Sequence, residues 1–421
     1  MNTIKAILIG AGDRGANAYA SYALNNPGTV QFVAVAEKSE ERREHFQKVH
    51  GIPDERAFES WEDVFKREKF ADAVLICTNE SYHYGPAKAA MDRGYAIMLE
   101  KPITPTAKQS VEIGDLAQSY DKAFILCYVL RYTPFFTEIK RVIDSGAIGR
   151  VQCIVHCEHV GLAHYSHSYV RGVFAVEAES GPVILGKCCH DMDVLNWLAD
   201  SKCVRLSSYS TEGYFSEKNA PPGAPARCTD GCPHAEDCYF YAPKLYFAPR
   251  SGFNVDTISL DTSPEGKMRA LREGMHGRCV YRCDNDLAET QAVNMEYENG
   301  VIVSFSMTPF TQECYRSLHI TGTKGEIVGN LEENAFTVRH IPSGRATVVN
   351  VSTVADRHSG GDYYIMTDFL RMVREGRTDG RTAVRNAVDS HVMCFAAEKS
   401  RRLGIPVVLE EFKSELRGAG D

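Results

Sequence analysis

Over the first 148 residues, short apolar runs alternate with amphipathic stretches. Apolar runs predict strands, and apolar positions that recur every three or four residues predict helices. The predicted strands are residues 5–9, 31–36, 73–77, 96–99 and 124–130. The predicted helices are residues 40–50, 84–93, 108–120 and 134–145. This alternation is typical of an α/β domain, residues 1–148, in which helices cover both faces of a doubly wound parallel sheet.

From residue 149 onward, the predicted strands are longer and alternate apolar with polar residues. They are residues 151–159, 204–211, 292–298, 301–307, 317–321 and 335–340. We therefore expect a second, α+β domain, residues 149–421, with a mostly antiparallel open sheet. One helix is predicted at 187–198, and a Pro-, Gly- and Cys-rich insertion spans about 217–286. Helical spacing at 363–403 predicts a C-terminal segment that returns to the first domain.

A glycine-rich turn follows the first predicted strand. Gly10, Gly12 and Gly15 form G-x-G-x-x-G, with Asp13 and Arg14 inside it. In such a fingerprint the glycines permit a tight turn, close approach of a pyrophosphate and close packing of helix on strand. The N–H groups at the helix N-terminus attract phosphate. The pattern predicts a dinucleotide-binding Rossmann domain, against the alternative of a strand–turn–helix with incidental glycines.

The second predicted strand ends in Glu37, followed by Lys38. A carboxylate there hydrogen-bonds the ribose hydroxyls of the adenosine and repels a 2′-phosphate. The sequence therefore favours NAD over NADP, and Lys38 weakens that preference without reversing it.

Composition narrows the class of partner. The 421 residues carry a net charge of −8 without a basic stripe, so we expect neither nucleic acid nor a membrane surface as a partner. The sequence has no secretory leader pattern and no apolar stretch of membrane-spanning length. These features predict a cytoplasmic protein that acts on a small molecule.

The fourth predicted strand ends in Glu100, Lys101 and Pro102. A lysine at the carboxyl end of a parallel strand suits proton transfer beside a bound nicotinamide. The alternative is a solvated lysine at the end of a strand.

With these motifs the chain resembles the Gfo/Idh/MocA oxidoreductases, which include glucose-fructose oxidoreductase and inositol dehydrogenase. Five segments are similar to family motifs and occur in the same order as in the family, namely residues 77–83, 100–102, 131–134, 358–362 and 397–400. The resemblance implies a carbohydrate oxidoreductase that binds NAD and forms homodimers or homotetramers. It implies that the cofactor is lined by Thr78, Asn79, His83, Glu100, Lys101 and Arg131.

Segment 186–193 is similar to the family's catalytic helix. By resemblance, His190 is the acid or base, and its near-neutral pKa suits proton transfer with a sugar hydroxyl. The chain has Gly186 where the family pattern has an aspartate, and Lys187 follows, which adds a charge to the site. Asp191 is expected near the substrate. The alternative for His190 is a buried histidine with satisfied hydrogen bonds.

Two further segments carry groups suited to a polyhydroxylated ligand. The first segment contains His164, His167, Tyr169 and Arg171, and its residues 167–172 are similar to a family branch with glycoside-processing members. The alternative is that these are ordinary surface residues. The second segment contains His358 and Asp362. We predict that His167, Tyr169, Arg171, His358 and Asp362 contact the substrate.

Five of the 14 cysteines lie in the insertion. Short spacing allows thiolates to surround one tetrahedral zinc ion. We predict that the ligands are Cys228, Cys232, Cys238 and Cys283, with Cys279 as the rival for the fourth position. An iron–sulfur cluster uses the same ligands, and unpaired thiols are the remaining alternative.

Together these features predict an NAD-dependent oxidoreductase acting on a secondary hydroxyl of a sugar, sugar derivative or cyclic polyol. One alternative is a redox-neutral glycosidase, in which oxidation, elimination, water addition and re-reduction use one retained NAD. An alternative of another class is a non-catalytic NAD-binding regulator, against which the presence of both Lys101 and His190 argues.

Overall fold

The computed structural model describes residues 2–248, 258–259, 261–354 and 358–418. Parts of the predicted insertion, residues 249–257 and 260, lie outside the described residues, as do the last three residues of the second predicted domain.

The N-terminal half forms a six-stranded parallel sheet in the order β3-β2-β1-β4-β5-β6. Its strands are β1 (Ile4–Ile9), β2 (Val30–Ala36), β3 (Ala57–Phe58), β4 (Ala73–Ile76), β5 (Ala96–Leu99) and β6 (Phe124–Leu126). Its helices are α1 (Ser21–Asn25), α2 (Glu40–His50), α3 (Trp61–Phe65), α4 (Tyr84–Asp92), α5 (Ala107–Gln118) and α6 (Pro134–Asp144). This topology confirms the predicted doubly wound α/β fold.

The strands of this sheet are apolar throughout because both of their faces are covered. Ile7 and Leu8 point to opposite faces of β1, and each is fully buried. The sequence pattern missed the short elements β3 and α3, and it extended β6 too far. Residues after Leu126 leave the sheet and form a 3₁₀ turn at Val129–Tyr132. These residues are as apolar as a strand, so hydrophobicity alone could not mark the end of β6.

The C-terminal half forms a nine-stranded sheet in the order β14-β13-β12-β11-β7-β10-β9-β8-β15. Its strands are β7 (Val151–His159), β8 (Cys203–Thr211), β9 (Thr290–Tyr297), β10 (Ile302–Thr308), β11 (Tyr315–Gly322), β12 (Gly325–Asn330), β13 (Ala335–His340), β14 (Arg345–Asn350) and β15 (Val407–Val408). All neighbouring strands are antiparallel except β7 and β10. The predicted mostly antiparallel sheet is confirmed, although β12, β14 and β15 were not predicted.

Eight helices accompany this sheet in the described part of the chain. They are α7 (Leu162–Tyr165), α8 (Glu177–Ser180), α9 (Val183–Ala199), α10 (Ala242–Phe247), α11 (Pro264–Glu273), α12 (Gly361–Glu375), α13 (Val384–Leu403) and α14 (Leu409–Gly418). Helix α12 buries Ile365, Met366 and Phe369 in the same apolar cluster as Leu8 of β1. The C-terminal helices thus pack against the first sheet as well as the second.

The insertion is tied together by a short antiparallel bridge between Arg227 and Arg278. Helices α10 and α11 lie between these two residues in the sequence. Among the described residues, no helix combines the length and the apolar character needed to cross a membrane.

Candidate active site

The glycine-rich turn has the geometry that a dinucleotide requires. Gly10 has φ of +91°, and a Cβ there would lie 2.6 Å from the Cys77 carbonyl oxygen. At Gly12 an added Cβ would meet nothing within 4 Å, so the backbone there faces open space. A helix then begins at Asp13. Bare backbone beside a helix N-terminus fits the pyrophosphate of NAD.

Glu37 holds the glycine-rich turn from the end of β2. Its Oε2 accepts a hydrogen bond from the Ala11 N–H at 2.7 Å, and its Oε1 accepts one from the Ser39 N–H at 2.9 Å. Each carboxylate oxygen has a second lone pair, which leaves capacity for ribose hydroxyls. The neighbouring Lys38 is exposed, and Asp13 accepts a hydrogen bond from Asn17.

Arg14 joins the turn to the C-terminal half. Its guanidinium pairs with Glu100 at 2.8 Å and with Asp362 at 2.6 Å, and it lies 3.2 Å from Nδ1 of His358. Burial opposes ionisation of Glu100, but the charges of Arg14 and Lys101 outweigh it and lower the pKa of Glu100. Arg14, Glu100, His358 and Asp362 thus lie in one cluster, in which the Arg14 guanidinium is paired with two carboxylates.

Lys101 follows β5 and reaches α9. Its Nζ donates a hydrogen bond to the carbonyl oxygen of Gly186 at 2.8 Å. An added Cβ at Gly186 would lie 3.9 Å from the ring of Tyr169. Lys101, Gly186 and Tyr169 therefore lie together at the carboxyl edge of the parallel sheet, where ligands of this fold bind.

His190 lies one turn further along α9. It is 5% exposed, and its Nδ1 has no hydrogen-bond partner among the described residues. Its ring centroid lies 5.6 Å from that of Tyr128 and 6.4 Å from that of His358. Burial, together with the charges of Lys101 and Arg316, lowers the pKa of His190 well below its ordinary value. The imidazole is therefore neutral at pH 7.

A buried charge network lies on the face of α9 next to the one that carries His190. Lys187 pairs with Glu158 at 3.2 Å, and Arg316 pairs with both Glu158 and Asp191 at 2.8 Å. Burial opposes ionisation of Lys187, but Glu158 outweighs it and raises the pKa of Lys187. Asp191 also accepts from His156 at 2.8 Å and is fully buried. The expected substrate contact of Asp191 is therefore not supported, because its carboxylate is occupied within the protein.

Glu158, Arg316 and His156 belong to none of the motifs described above. Each lies on a strand at a position where the alternation of β7 and β11 points inward, and each is buried. Charged residues at inward positions of an alternating strand are the signal that could have revealed them.

Two of the residues expected at the cofactor hold elements in place. The ring nitrogens of His83 lie 2.8 Å from the Pro102 carbonyl oxygen and 3.0 Å from that of Thr78. Arg131 makes a bidentate pair with Asp193 of α9, at 2.6 and 2.7 Å. Thr78 is half-buried and Asn79 is exposed, at the carboxyl end of β4.

The segment expected to contact substrate is divided between two environments. Tyr169 packs beside Gly186, whereas His167 bonds to Tyr246 of the insertion at 2.8 Å and stacks on His276. Arg171 is fully buried, and its guanidinium donates to the carbonyls of Arg278 and Phe240. The structure therefore does not support a substrate contact for Arg171, since its side chain points into the insertion.

Four of the five cysteines of the insertion surround one cavity of about 10 Å³, namely Cys228, Cys232, Cys238 and Cys279. Cys283 is not among the lining residues, and its thiol donates to the Cys279 carbonyl at 3.3 Å. Within the described residues, no three histidine, cysteine or acidic side chains are arranged to hold a metal ion as they stand.

Comparison with known proteins agrees with this architecture. A protein of Bacillus subtilis (strain 168) named "Putative oxidoreductase YteT" is 25% identical over 326 residues, covering 73% of this chain and 74% of that protein. Inositol 2-dehydrogenase 4 of Saccharopolyspora erythraea is 28% identical over 153 residues, or 36% of this chain and 41% of the enzyme. The fold matches levoglucosan dehydrogenase in complex with NADH and levoglucosan with a TM-score of 0.72 at 16% identity, over 97% of this chain and 100% of that one.

Two family models cover most of the sequence. Residues 4–128 match the oxidoreductase family with an NAD-binding Rossmann fold, and residues 140–408 match the C-terminal alpha/beta domain of the same family. The chain therefore belongs to the Gfo/Idh/MocA family of oxidoreductases.

Proposed function

We propose that this protein is an NAD-dependent dehydrogenase that oxidises a secondary hydroxyl of a sugar, sugar derivative or cyclic polyol. The observation that carries the proposal is Nδ1 of His190, which has no hydrogen-bond partner in the described part of the chain and belongs to a buried, neutral imidazole one helical turn from the carbonyl that binds Lys101. Buried polar atoms in proteins are normally hydrogen-bonded. A ring nitrogen that lacks a described partner and lies beside an ammonium group suits a hydroxyl substrate.

The chemistry divides between the protein and its cofactor. NAD held at the glycine-rich turn would supply a hydride acceptor for the carbon that bears the hydroxyl. His190 accepts the hydroxyl proton at Nδ1, and Lys101 donates a hydrogen bond to the oxygen as negative charge develops on it. The C–H and O–H bonds break and a carbonyl forms, so the proton and the two electrons are both accounted for.

The remaining residues orient this pair. Arg131 anchors Asp193, three residues after His190 on α9, and His83 links Pro102 to the turn after β4. Glu158 and Arg316 hold the adjacent face of α9 through Lys187 and Asp191. Fixed elements on each side keep Lys101 and His190 at one separation, which lowers the cost of organising the site during reaction.

Relatives support a carbohydrate or cyclic polyol as substrate. One relative is named inositol 2-dehydrogenase, and a structure of the same fold contains levoglucosan, an anhydrosugar. Tyr169 and His358 lie beside the proposed pair and offer a ring face and a polar edge to such a ligand.

The test is incubation of the purified protein with NAD and a panel of free sugars, inositols, anhydrosugars and aryl glycosides. Absorbance at 340 nm and aglycone release are followed together, with His190→Asn as the control protein. An increase in absorbance that is seen with the wild type and is absent with His190→Asn supports the dehydrogenase function. Aglycone release at constant absorbance would show instead that the protein is a redox-neutral glycosidase. NAD binding without turnover of any compound would indicate a non-catalytic regulator.

A further inference from the structure

Arg171 points a fully buried cation into the insertion, and its hydrogen bonds with the described residues include no carboxylate acceptor. Arg171 is 0% exposed, and its guanidinium donates to two backbone carbonyls. Its Nη2 also lies 3.6 Å from the Cys228 sulfur. Its Nη1 has no hydrogen-bond partner of good geometry among the described residues, although the Tyr246 hydroxyl lies nearby. A buried charge is costly unless it is paired, so this environment calls for negative charge.

The same guanidinium lines the cavity that four cysteines surround. At about 10 Å³, this cavity has room for roughly one water-sized particle. Cys228 and Cys279 are buried, and Cys232 and Cys238 are half-buried. Among the described residues that line the cavity, the groups that become anions on losing a proton are these four thiols and the hydroxyls of Tyr241 and Tyr281.

The backbone brings these cysteines together from two segments. Cys228 and Cys279 each follow one residue of the Arg227–Arg278 bridge. The Cys228 N–H donates to Gly277, and the Cys279 N–H donates to Ala226. Because side chains alternate along paired strands, both thiols leave the same face of this pair. Cys232 and Cys238 lie on successive turns of the adjoining loop, where the Cys238 N–H bonds to the His234 carbonyl.

We propose that Cys228, Cys232, Cys238 and Cys279 bind one structural zinc ion, with Arg171 as its charge-compensating neighbour. Four thiolates around Zn²⁺ carry a net charge of −2, and the guanidinium offsets part of it. The described thiols do not yet converge, so they would rotate toward the cavity as zinc binds, and the protons that the ion displaces from them would be released to solvent. The size of the cavity favours a single ion over a cluster of several iron and sulfide atoms.

The positions of Cys279 and Cys283 decide which of them is the fourth ligand. Cys279 lines the cavity, whereas the Cys283 thiol is bonded to the Cys279 carbonyl. His234 also lines the cavity, but its Nε2 donates to the Pro222 carbonyl. The ion would therefore join the two bridged segments and the loop between them into one unit. Because Arg171 ends the helical segment that carries His167 and Tyr169, this unit also fixes that segment.

The test measures metal content in full-length protein from zinc-supplemented cells. We expect about one zinc per chain in the wild type and in Cys203→Ser, whose thiol lies on β8 outside the cavity. The variants Cys232→Ser and Cys279→Ser should lose at least about 80% of the metal, whereas Cys283→Ser should retain it. Cobalt substitution should give the visible bands of tetrahedral thiolate coordination in the wild type. The variants Cys232→Ser and Cys279→Ser should lack these bands.

A second experiment uses a chelator on the wild-type protein, so that its result does not depend on whether the cysteine variants fold. Removing the ion from wild-type protein should lower the melting temperature, and adding zinc back should restore it, without any NAD or substrate present. Wild-type protein with less than about a tenth of an equivalent of metal would overturn the proposal. So would loss of metal in Cys283→Ser with retention in Cys279→Ser, and so would iron with acid-labile sulfide in place of zinc.

Discussion

The ammonium group of Lys101 donates a hydrogen bond of 2.8 Å to the carbonyl oxygen of Gly186, the residue four positions before His190. In an α-helix this carbonyl also accepts the His190 N–H. The proposed proton-transfer pair is thus held by one backbone oxygen, although Lys101 and His190 come from different halves of the chain. A shift of α9 would move both groups together.

Replacing Lys101 tests its place in the reaction. Lys101→Ala should lower turnover by about 10²- to 10⁴-fold, because it removes the donor to the developing oxyanion. Affinity for NAD, measured by fluorescence titration, should change little. Lys122→Ala, on an exposed lysine, is the matched control. Turnover that survives in Lys101→Ala would remove this residue from the mechanism.

The lowered pKa of His190 predicts the acid side of the pH profile. Burial and the charge of Lys101 lower this pKa well below 6.5, so the base should remain neutral as the pH falls from 8 to 6. We expect kcat/KM to be constant over that range. In Lys101→Met the residual activity should decline at a higher pH, because a charge that lowers the pKa is gone. A wild-type midpoint near 6.5 would contradict the buried environment described here.

Arg14 is expected to stabilise the fold more than a surface arginine does. Arg14→Ala leaves the buried carboxylates of Glu100 and Asp362 without their cation. Breaking a buried pair in this way costs about 3–5 kcal/mol of unfolding free energy. Urea denaturation measures the change, with the exposed Arg42→Ala as control. Equal unfolding free energies for the two variants would show that the network contributes nothing.

His391 predicts a decrease in stability on acidification. Its Nε2 accepts from the Ile103 N–H, its Nδ1 bonds to Tyr128, and burial lowers its pKa to about 3. Between that value and about 6.5 the unfolded chain binds the extra proton, so unfolding free energy falls as the pH falls, by about 1.4 kcal/mol per unit. The slope between pH 6.5 and 4 should be smaller in His391→Gln. Identical slopes in urea denaturation would refute this assignment.

The predicted homodimer or homotetramer has a candidate surface on the second sheet. A row of neighbouring positions crosses its outer face at Ser304, Val155, His319, Val328, Thr337 and Val348. Val155 is 50% exposed and Val348 is 62% exposed. Light scattering should give a mass above that of one chain, reduced in Val155→Glu but not in Leu24→Glu. A monomeric wild type would contradict the prediction.

Much of the fold could be predicted because its signals are local. The glycine turn, Glu37 and the alternating strands each occupy a few neighbouring residues, and they identify the parallel sheet without any long-range information. The short edge elements β3, β14 and β15 were missed. Edge strands bury little surface, so their sequences carry a weak periodic pattern.

The site was predicted less completely, because its support depends on distant contacts. Lys101 and His190 were predicted from their position and from the resemblance, and their roles stay a prediction. Glu158 and Arg316 were not predicted: their inward positions on alternating strands are a local signal, but the pairing that joins the two strands into one buried network is a long-range feature. Arg171 shows the converse error: its polar neighbours suggested ligand binding, but its side chain turns the other way into the insertion.

The bonds of Glu37 to Ala11 and Ser39 have a consequence for altering cofactor choice. The carboxylate that disfavours a 2′-phosphate also shapes the loop on which the pyrophosphate would rest. The loop is therefore preorganised during folding, and little ordering entropy remains to be lost when the dinucleotide arrives. A single substitution that removes the acid to admit NADP would also loosen this support. Changing the preferred coenzyme thus requires a second substitution that rebuilds the loop.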